Sequence, residues 1–474
     1  MKTFCTVSMI FLGLALFAQD VWTLRQCVDR AWEMNLDIQR SELSNEIAGV
    51  NLIQNKLNLL PTLNGGMTHG YNWGQTIDPF TNEFATDRVR NNNLFLSSDL
   101  VLFSGFQLQN RLKQSRVDLK ASEEDLKRMR NDIGLIIAQA YLNVLFNQEQ
   151  VKAAESQVEI SERQVQRMTR MVDAGQEAIA SLLEVESQLA SDVLVLTQIE
   201  NSLVIAKLNL TNLLLLTPTE AEQFDIAPPS ETSFDMERPL PSVGEIYGTA
   251  KDLLPQLKAA ELRVQSSDIG LDIAKGGRSP QLLLRGSIGS GYSGNNQVGV
   301  GDSFIQTFPI GVVDGTGEVV ITAQESFNDF EPKEFGDQLE DNFNQSLSFS
   351  LTFPIFNGFS VTSDISRAKL NYELSQLDKA STNNQLLQDV QQAHADATAA
   401  RRSYQAAQRS LEAMQLNFEN SEKRFEQQML SPVDFNVAKA RLAVVETDAV
   451  RAKYDFIFRM TIIDFYQGKP INIE

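Results

Sequence analysis

The sequence predicts an α+β membrane protein. A few β-strands of barrel length, shared among several chains, are continued by a long antiparallel α-helical coiled coil, and the whole is built as an internal two-fold structural repeat. Three observations carry this. Apolar seven-residue ladders occur twice, Ile137, Val144, Val151, Val158, Val165 and Val172 returning 253 positions later as Val390, Ala397, Tyr404, Leu411, Phe418 and Phe425. Four segments alternate apolar and polar residues as strands do. The chain opens with Lys2 and an apolar run from Met9 to Phe17 ahead of Ala18, the pattern of a secretory signal peptide.

The heptads are the firmest element. A second ladder, Leu182, Leu189, Leu196, Leu203 and Leu210, is repeated as Phe435, Leu442, Ala449, Phe456 and Ile463, again displaced by 253. Strict heptads mean helices supercoiling on neighbours. At about 1.5 Å per residue, the helix from about Gln107 to Val172 would be roughly 100 Å long. The ladder residues are read as packing residues, not ligands.

Before each ladder the offset is 219 instead. Thr23-x-x-Gln26 and Ser242-x-x-Glu245 are capping boxes that start a helix, and Leu60-Pro61 and Ser279-Pro280 end it. Each half therefore opens with a helix of about thirty residues. Strands follow each proline. Phe343 to Phe353 sets Leu347, Phe349 and Leu351 against Ser346, Ser348 and Ser350; Leu94 to Leu102 and Leu282 to Ile288 alternate similarly, and Thr62 to Trp73 is a weaker, glycine-rich strand. Four strands of this length suit tilted transmembrane strands or, equally, a soluble sheet with one buried face. The export signal and the long helices favour a barrel, which four strands cannot close alone.

The domains expected are a signal peptide (1–18), a first repeat (19–242) and a second repeat (243–474) with a long acidic loop at 293–342. The apolar runs around Phe304 to Ile310 and Val319 to Ile321 are the material for a hairpin within that loop. Tyr71, Trp73 and Tyr292 fit either an aromatic membrane girdle or packing at the base of the loops.

Composition excludes several functions. A net charge of -20 and a pI near 4.7 argue against nucleic-acid binding. His69 and His394 are the only histidines and Cys5 and Cys27 the only cysteines, which leaves no zinc cluster, no Cys-His or Ser-His-Asp centre and no cofactor to expect. Cys27 reads as a buried helix cysteine. Glu184-Val185-Glu186 reads as a solvated helix face, not an acid/base pair, and no phosphate-binding glycine loop occurs. No enzyme is expected. After the signal no uninterrupted apolar run reaches the ~18 residues of a spanning helix, so strands must make any crossing.

Leu102-Phe103-Ser104-Gly105-Phe106 and Ile355-Phe356-Asn357-Gly358-Phe359 each join a strand to a long helix. With Gln139-Ala140-Tyr141-Leu142, Gln392-Ala393-His394, Asp173-Ala174-Gly175 and Ser431-Pro432-Val433-Asp434-Phe435-Asn436, they resemble the TolC-type outer-membrane efflux family over nearly all of the mature chain. The resemblance implies a homotrimer whose twelve strands, four per chain, form one barrel in outer-membrane lipid, continued by a helical periplasmic tube. It implies a passive exit duct of a tripartite efflux pump or type I secretion system, docked on a periplasmic adaptor and an inner-membrane transporter. The alternative is a non-conducting coiled-coil adaptor or tether.

The resemblance also places the functional sites at the helix-to-helix turns. Asp434 matches a family aspartate and is the periplasmic gate candidate, while the turns carry the adaptor-docking candidates Asp173, Gly175, Glu177, Glu426 and Gln428. Ser431-Pro432-Val433-Asp434 is also a good helix start, so Asp434 is either a capping residue, a gate, or both. Ser181-x-x-Glu184 reads as a capping box, and Gly175 as the left-handed cap of the first long helix. Leu430 and Val437 stand where relatives carry polar residues, and Phe425 where a tyrosine is common.

Overall fold

A computed structural model describes residues 21–78, 80–82, 84–85, 88–227, 238–427 and 429–469. The expected signal segment 1–18 and the tip candidate Gln428 lie outside them. The first half contains β1 (Val21–Trp22), α1 (Leu24–Met34), α2 (Leu36–Leu57), β2 (Asn64–Asn72), β3 (Thr76–Ile77), β4 (Phe84–Ala85), β5 (Val89–Ser104), α3 (Gln107–Asp173), α4 (Ile179–Leu213), α5 (Pro218–Gln223) and β6 (Asp225–Ile226). The second contains α6 (Val243–Leu253), α7 (Pro255–Gly276), β7 (Gln281–Ser293), β8 (Gln297–Val312), β9 (Val319–Pro332), α8 (Phe335–Asp341), β10 (Asn344–Thr352), α9 (Ser360–Glu426) and α10 (Pro432–Tyr466).

Element lengths repeat with the sequence offsets. Helices α3 and α9 each have 67 residues and α4 and α10 each have 35, starting 253 positions apart. Helices α1 and α6 have 11 and α2 and α7 have 22, starting 219 apart. Both capping boxes form. The single opening helix of about thirty residues does not: it breaks at Asn35 and at Leu254, both in extended conformation. Asn35 turns its Oδ1 onto the backbone N–H groups of Asp37 (2.9 Å) and Ile38 (3.3 Å) and so caps α2. Leu254 precedes Pro255, whose ring disfavours a helical residue before it.

The chain forms two compact units that each draw on both halves. One comprises the chain up to Gly49, Val117–Gln265 and Leu374 onward. Two of its apolar cores are copies of a theme: Leu24, Ala31, Ile137, Val144 and Leu210 join α1, α3 and α4, while Ile246, Ala250, Val390, Ala397 and Ile463 join α6, α9 and α10. Each large aliphatic side chain fully buried this way contributes about 1.5–3 kcal/mol. Tyr141 closes the first core, its hydroxyl donating to the carbonyls of Ala227 (2.6 Å) and Trp22 (3.2 Å) beside the short parallel pair β1 and β6. Cys27 is fully buried there, and burial pushes its thiol pKa up to about 12.

Helix α4 departs from expectation. It is long and apolar enough to pass as a membrane span, with a mean hydropathy of 1.3 over its most apolar stretch. The apolar residues are interspersed with Glu184, Glu186, Asp192, Glu200 and Lys207, which is why no uninterrupted run is visible in the sequence.

The other unit, Val50–Arg116 and Ser266–Glu373, holds an antiparallel sheet in the order β10-β7-β5-β2. Its central pair, β5 and β7, joins the two halves of the chain. Directly paired residues share a face, so the register sorts side chains unambiguously. Leu96 pairs with Ile288, Leu100 with Leu284 and Leu347 with Gly286 on one face; Ser97 with Ser287 and Asp99 with Arg285 on the other. Asp99 and Arg285 form an ion pair at 2.5 Å, and the hydroxyls of Ser287 and Ser346 are 2.8 Å apart. The apolar face is exposed, Leu347 and Phe349 by 71% and 66%, so it is not the buried face of a soluble sheet. Both edge strands, β2 and β10, lack a partner on their outer side among the described residues. Strands β8 and β9 form the separate hairpin that the loop composition allowed, and Tyr292, packed under Arg90 and beside Phe335, belongs to the loop base. Trp73 is 73% exposed beside Tyr71.

The repeated strand-to-helix motif has a backbone cause. Gly105 and Phe106 have φ of +62° and +61°, and Gly358 and Phe359 have +63° and +61°. Two successive left-handed residues turn the chain from strand to helix, and in both copies the two phenylalanines of the motif meet edge to face. The copies differ in crowding. A Cβ on Gly105 would lie 2.3 Å from the carbonyl oxygen of Gly276, whereas one on Gly358 would meet nothing within 4 Å. Gly358→Ala is therefore expected to cost about 1–2 kcal/mol from the left-handed backbone alone, and Gly105→Ala distinctly more, read as a lower melting temperature of the β signal. Equal losses would show that the clash is relieved without cost.

Candidate functional site

The turns between the long helices and the helix ends beside them hold every candidate residue that is described. The first turn is a complete glycine C-cap: Gly175 has φ +70°, its N–H donates to the Val172 carbonyl (2.9 Å), and that of Gln176 to Met171 (2.9 Å). Gly175 thus takes the expected role, with Asp173 and Glu177 exposed beside it. The expected Ser181 capping box does not form. Helix α4 begins two residues earlier, its N-cap Ala178 supplies no side-chain bond, and Ser181, already helical, reaches Glu177 at 3.4 Å. A helix can open here without a side-chain cap because its first N–H groups face solvent.

The second turn does carry its cap. Ser431 Oγ accepts from the Asp434 backbone N–H at 3.2 Å and donates to the Asp434 carboxylate at 2.8 Å, with Pro432 in the first helical position. Asp434 is exposed, and Glu426 is exposed at the end of α9. The capping role of the Ser431–Asp434 pair is therefore realised in the structure.

Two sets of interactions at this end were not read from the sequence. Arg167 of α3 donates to the carbonyls of Glu426 (2.9 Å) and Phe425 (3.3 Å) and lies over the Phe425 ring (5.2 Å). A cation on the last carbonyls of α9 complements that helix end and ties the first helical hairpin to the second. Beneath it Phe425 stacks on Phe435 at 4.6 Å, and Phe435 meets Phe418 at 5.4 Å, with Leu430 packed alongside. Leu430 and Phe425 are thus parts of one apolar cluster.

One turn deeper, Lys439 is 3% exposed. Its ammonium donates to the Gln157 carbonyl (2.6 Å), to Asp192 (2.6 Å) and to the Ser161 hydroxyl, while Ser161 and Gln188 donate to Asp192 at 2.5 Å and 2.8 Å. Burial lowers the Lys439 pKa, and Asp192 works against that shift. The Glu446 carboxyl is pushed up by burial across an adjoining cavity of about 270 Å³. A trace of this group exists in the sequence, since Lys439 sits four residues after Phe435 and three before Leu442, on an otherwise apolar stripe. Its counterpart in the first repeat is Glu186, so the pair has no copy.

Breaking a buried pair strands the remaining charge, whereas removing both partners does not. Asp192→Asn is expected to destabilise the helical unit by about 3 kcal/mol, and Asp192→Leu with Lys439→Met to recover most of that loss. The sign of the pH dependence follows from the lowered Lys439 pKa: the unfolded chain holds this proton more tightly, so this group's contribution rises with pH between the lowered value and the ordinary lysine value. Thermal unfolding of the variants across that alkaline window is the check; parallel curves for wild type and Lys439→Met would remove Lys439 as the cause.

Residues 27–214 and 246–457 match the family model described as Outer membrane efflux protein. No curated protein matches the chain in sequence. Among solved structures, it is similar to the outer membrane protein VceC of Vibrio cholerae at 14% identity and a TM-score of 0.72, covering 94% of this chain and 96% of that one. The CmeC outer membrane channel of Campylobacter jejuni gives 15% and 0.73, with 94% and 87% covered, and the open-state MtrE outer membrane channel of Neisseria gonorrhoeae 16% and 0.69, with 95% and 90%. These likenesses show the fold, and the family match covers both repeats. The chain belongs to the outer membrane efflux protein family: it is a channel protein of the outer membrane that extends into the periplasm, and not an enzyme.

Proposed function

We propose that this chain is the passive exit duct of a multi-component export machine, a tripartite efflux pump or a type I secretion system, and that it works as a homotrimer. One observation carries the reading: a four-stranded sheet with an exposed apolar face, a polar opposite face and two unpaired edges. Unpaired backbone groups are not tolerated in hydrocarbon, and four strands cannot close a barrel. Pairing β2 of one copy with β10 of the next would give twelve strands in three copies, with Leu96, Leu284 and Leu347 toward lipid and Asp99, Arg285 and Ser287 toward the lumen.

The uninterrupted helices α3 and α9 support reach: 67 residues rise about 100 Å. In this reading the turns carrying Gly175 and Ser431 form the periplasmic end. Asp173, Gly175, Glu177, Glu426 and Gln428 then meet a periplasmic adaptor, which links the duct to an inner-membrane transporter that supplies the energy. Threefold symmetry would repeat Asp434 as a ring of three carboxylates, which attracts cations and narrows the passage, and Asp434 keeps its capping bond to Ser431 meanwhile. We also read the chain as a removable leader, 1–18, followed by repeats 19–242 and 243–474.

The test is single-channel recording of the purified protein in a planar lipid bilayer beside Asp434→Ala. Discrete cation-preferring channels whose preference weakens in the variant are expected. Identical selectivity in both would move the constriction away from Asp434. Failure of the purified protein to insert or to form trimers would overturn the duct.

A further inference from the structure

The two ends of the sheet differ. At one, Ser104 and Thr352 both pair with Gln281, and the strand-to-helix turns at Gly105 and Gly358 follow. At the other, Asn72 pairs with Val89 and Asn91 with Ser293, and the segment 73–88, which holds β3 and β4, joins β2 to β5.

The register fixes which face this segment covers. Successive residues of a strand alternate between faces. Along β5, Val89, Asn91 and Asn93 therefore share the face of Ser97 and Asp99, and along β7, Gly291 and Ser293 share that of Arg285 and Ser287. This is the polar face, and the segment is turned back onto it. Asp78, 1% exposed, accepts from the Ser293 hydroxyl. The Phe80 ring fills the space in front of Gly291, where a Cβ would run into it. Val89, at the strand end on the same face, is also covered.

Asp78 shapes the turn that it anchors. Its Oδ1 accepts from the N–H groups of Phe80 (2.9 Å) and Thr81 (3.1 Å), and its carbonyl accepts from the Asn82 N–H at 2.9 Å. One buried carboxylate thus sets the backbone that carries Phe80 and ties it to the wall. Helix α8 holds the same strand end from elsewhere. Buried Gln338 accepts from the Ser293 N–H at 2.9 Å and donates to the Ser293 carbonyl at 3.1 Å. Ser290 and Tyr292, on the apolar face, meet Leu339 and Phe335. The polar face is left to Phe80.

In a closed barrel the polar face lines the lumen, so the turn of Asp78 and Phe80 stands inside it. We propose that Phe80, held by Asp78 on Ser293, is a constriction residue of the duct: in the assembled channel, copies of this turn narrow the lumen at the end remote from the helices and limit the size of what passes there. This rests on the homotrimeric duct proposed above.

Thiol labelling from outside intact cells tests it, since Cys27 is buried and Cys5 is the only other cysteine. Ser287→Cys places a thiol on the polar face four residues from Gly291 toward the helix junctions, about 13 Å along β7. A small charged maleimide is expected to react with it, and a maleimide on a long polyethylene glycol chain is not. Adding Phe80→Ala or, separately, Asp78→Ala is expected to abolish this limit, so that the long reagent reacts as fast as the small one. Native mass measurement counts copies in each purified variant, and either change alone decides where the other fails to assemble. Trimers that admit the long reagent before either change, or exclude it after both, would overturn the constriction and leave the duct standing. Trimers in which no reagent reaches Ser287→Cys in any variant would overturn the lumenal face, and with it both readings, as would absence of trimers of the unaltered chain.

Discussion

The two free edges of the four-stranded sheet are the constraint on which the rest depends. Every second residue along β2 and β10 presents an outward N–H and carbonyl that no strand among the described residues satisfies, and hydrocarbon offers no water to replace the missing bonds. A chain that places this sheet in the outer membrane is therefore incomplete alone. The exposed apolar side chains fit the same reading: in the proposed barrel, lipid is what covers Leu347 and Phe349.

The strand-to-helix junctions and the helix turns are built by different devices. At the strand-to-helix junctions a pair of left-handed residues reorients the chain within two positions, and the Gly-Phe of each motif is kept for that backbone conformation. At the helix turns the two repeats use different devices, a glycine C-cap in one and a serine N-cap in the other. Equivalent positions thus diverge where they meet different neighbours, most sharply at Lys439, which is buried against α3 and α4 while Glu186 in the first repeat is exposed.

That divergence gives the tip its physical character. An apolar cluster around Phe435 and an ion pair between Lys439 and Asp192 hold α10 to the first helical hairpin, and Arg167 ties the end of α9 to the same hairpin. Motion of α10 relative to α4 must part a buried charge pair, whose remaining partners would be costly to leave unpaired. Side-chain chemistry near the turn, more than the turns themselves, sets how firmly this end is held.

The sequence by itself determined the periodic features: helix lengths, the duplication and its two offsets, the alternating strands and the capping boxes at Thr23 and Ser242. These are local, set by the spacing of apolar residues and by bonds between side chains and backbone within three or four positions. The breaks at Asn35 and Leu254 have local causes too, an asparagine cap and a following proline, whereas the uncapped start of α4, the Lys439 and Asp192 pair and the clamp of Asp78 and Gln338 on Ser293 were decided only by tertiary structure. In the pair and the clamp the partners lie tens to hundreds of positions apart, and no periodicity links them. The uncapped start follows from the exposure of its first turn to solvent. Burial then turns an ordinary lysine or glutamine into a fixed member of a site, because a polar group removed from water must find its partners wherever the fold has put them.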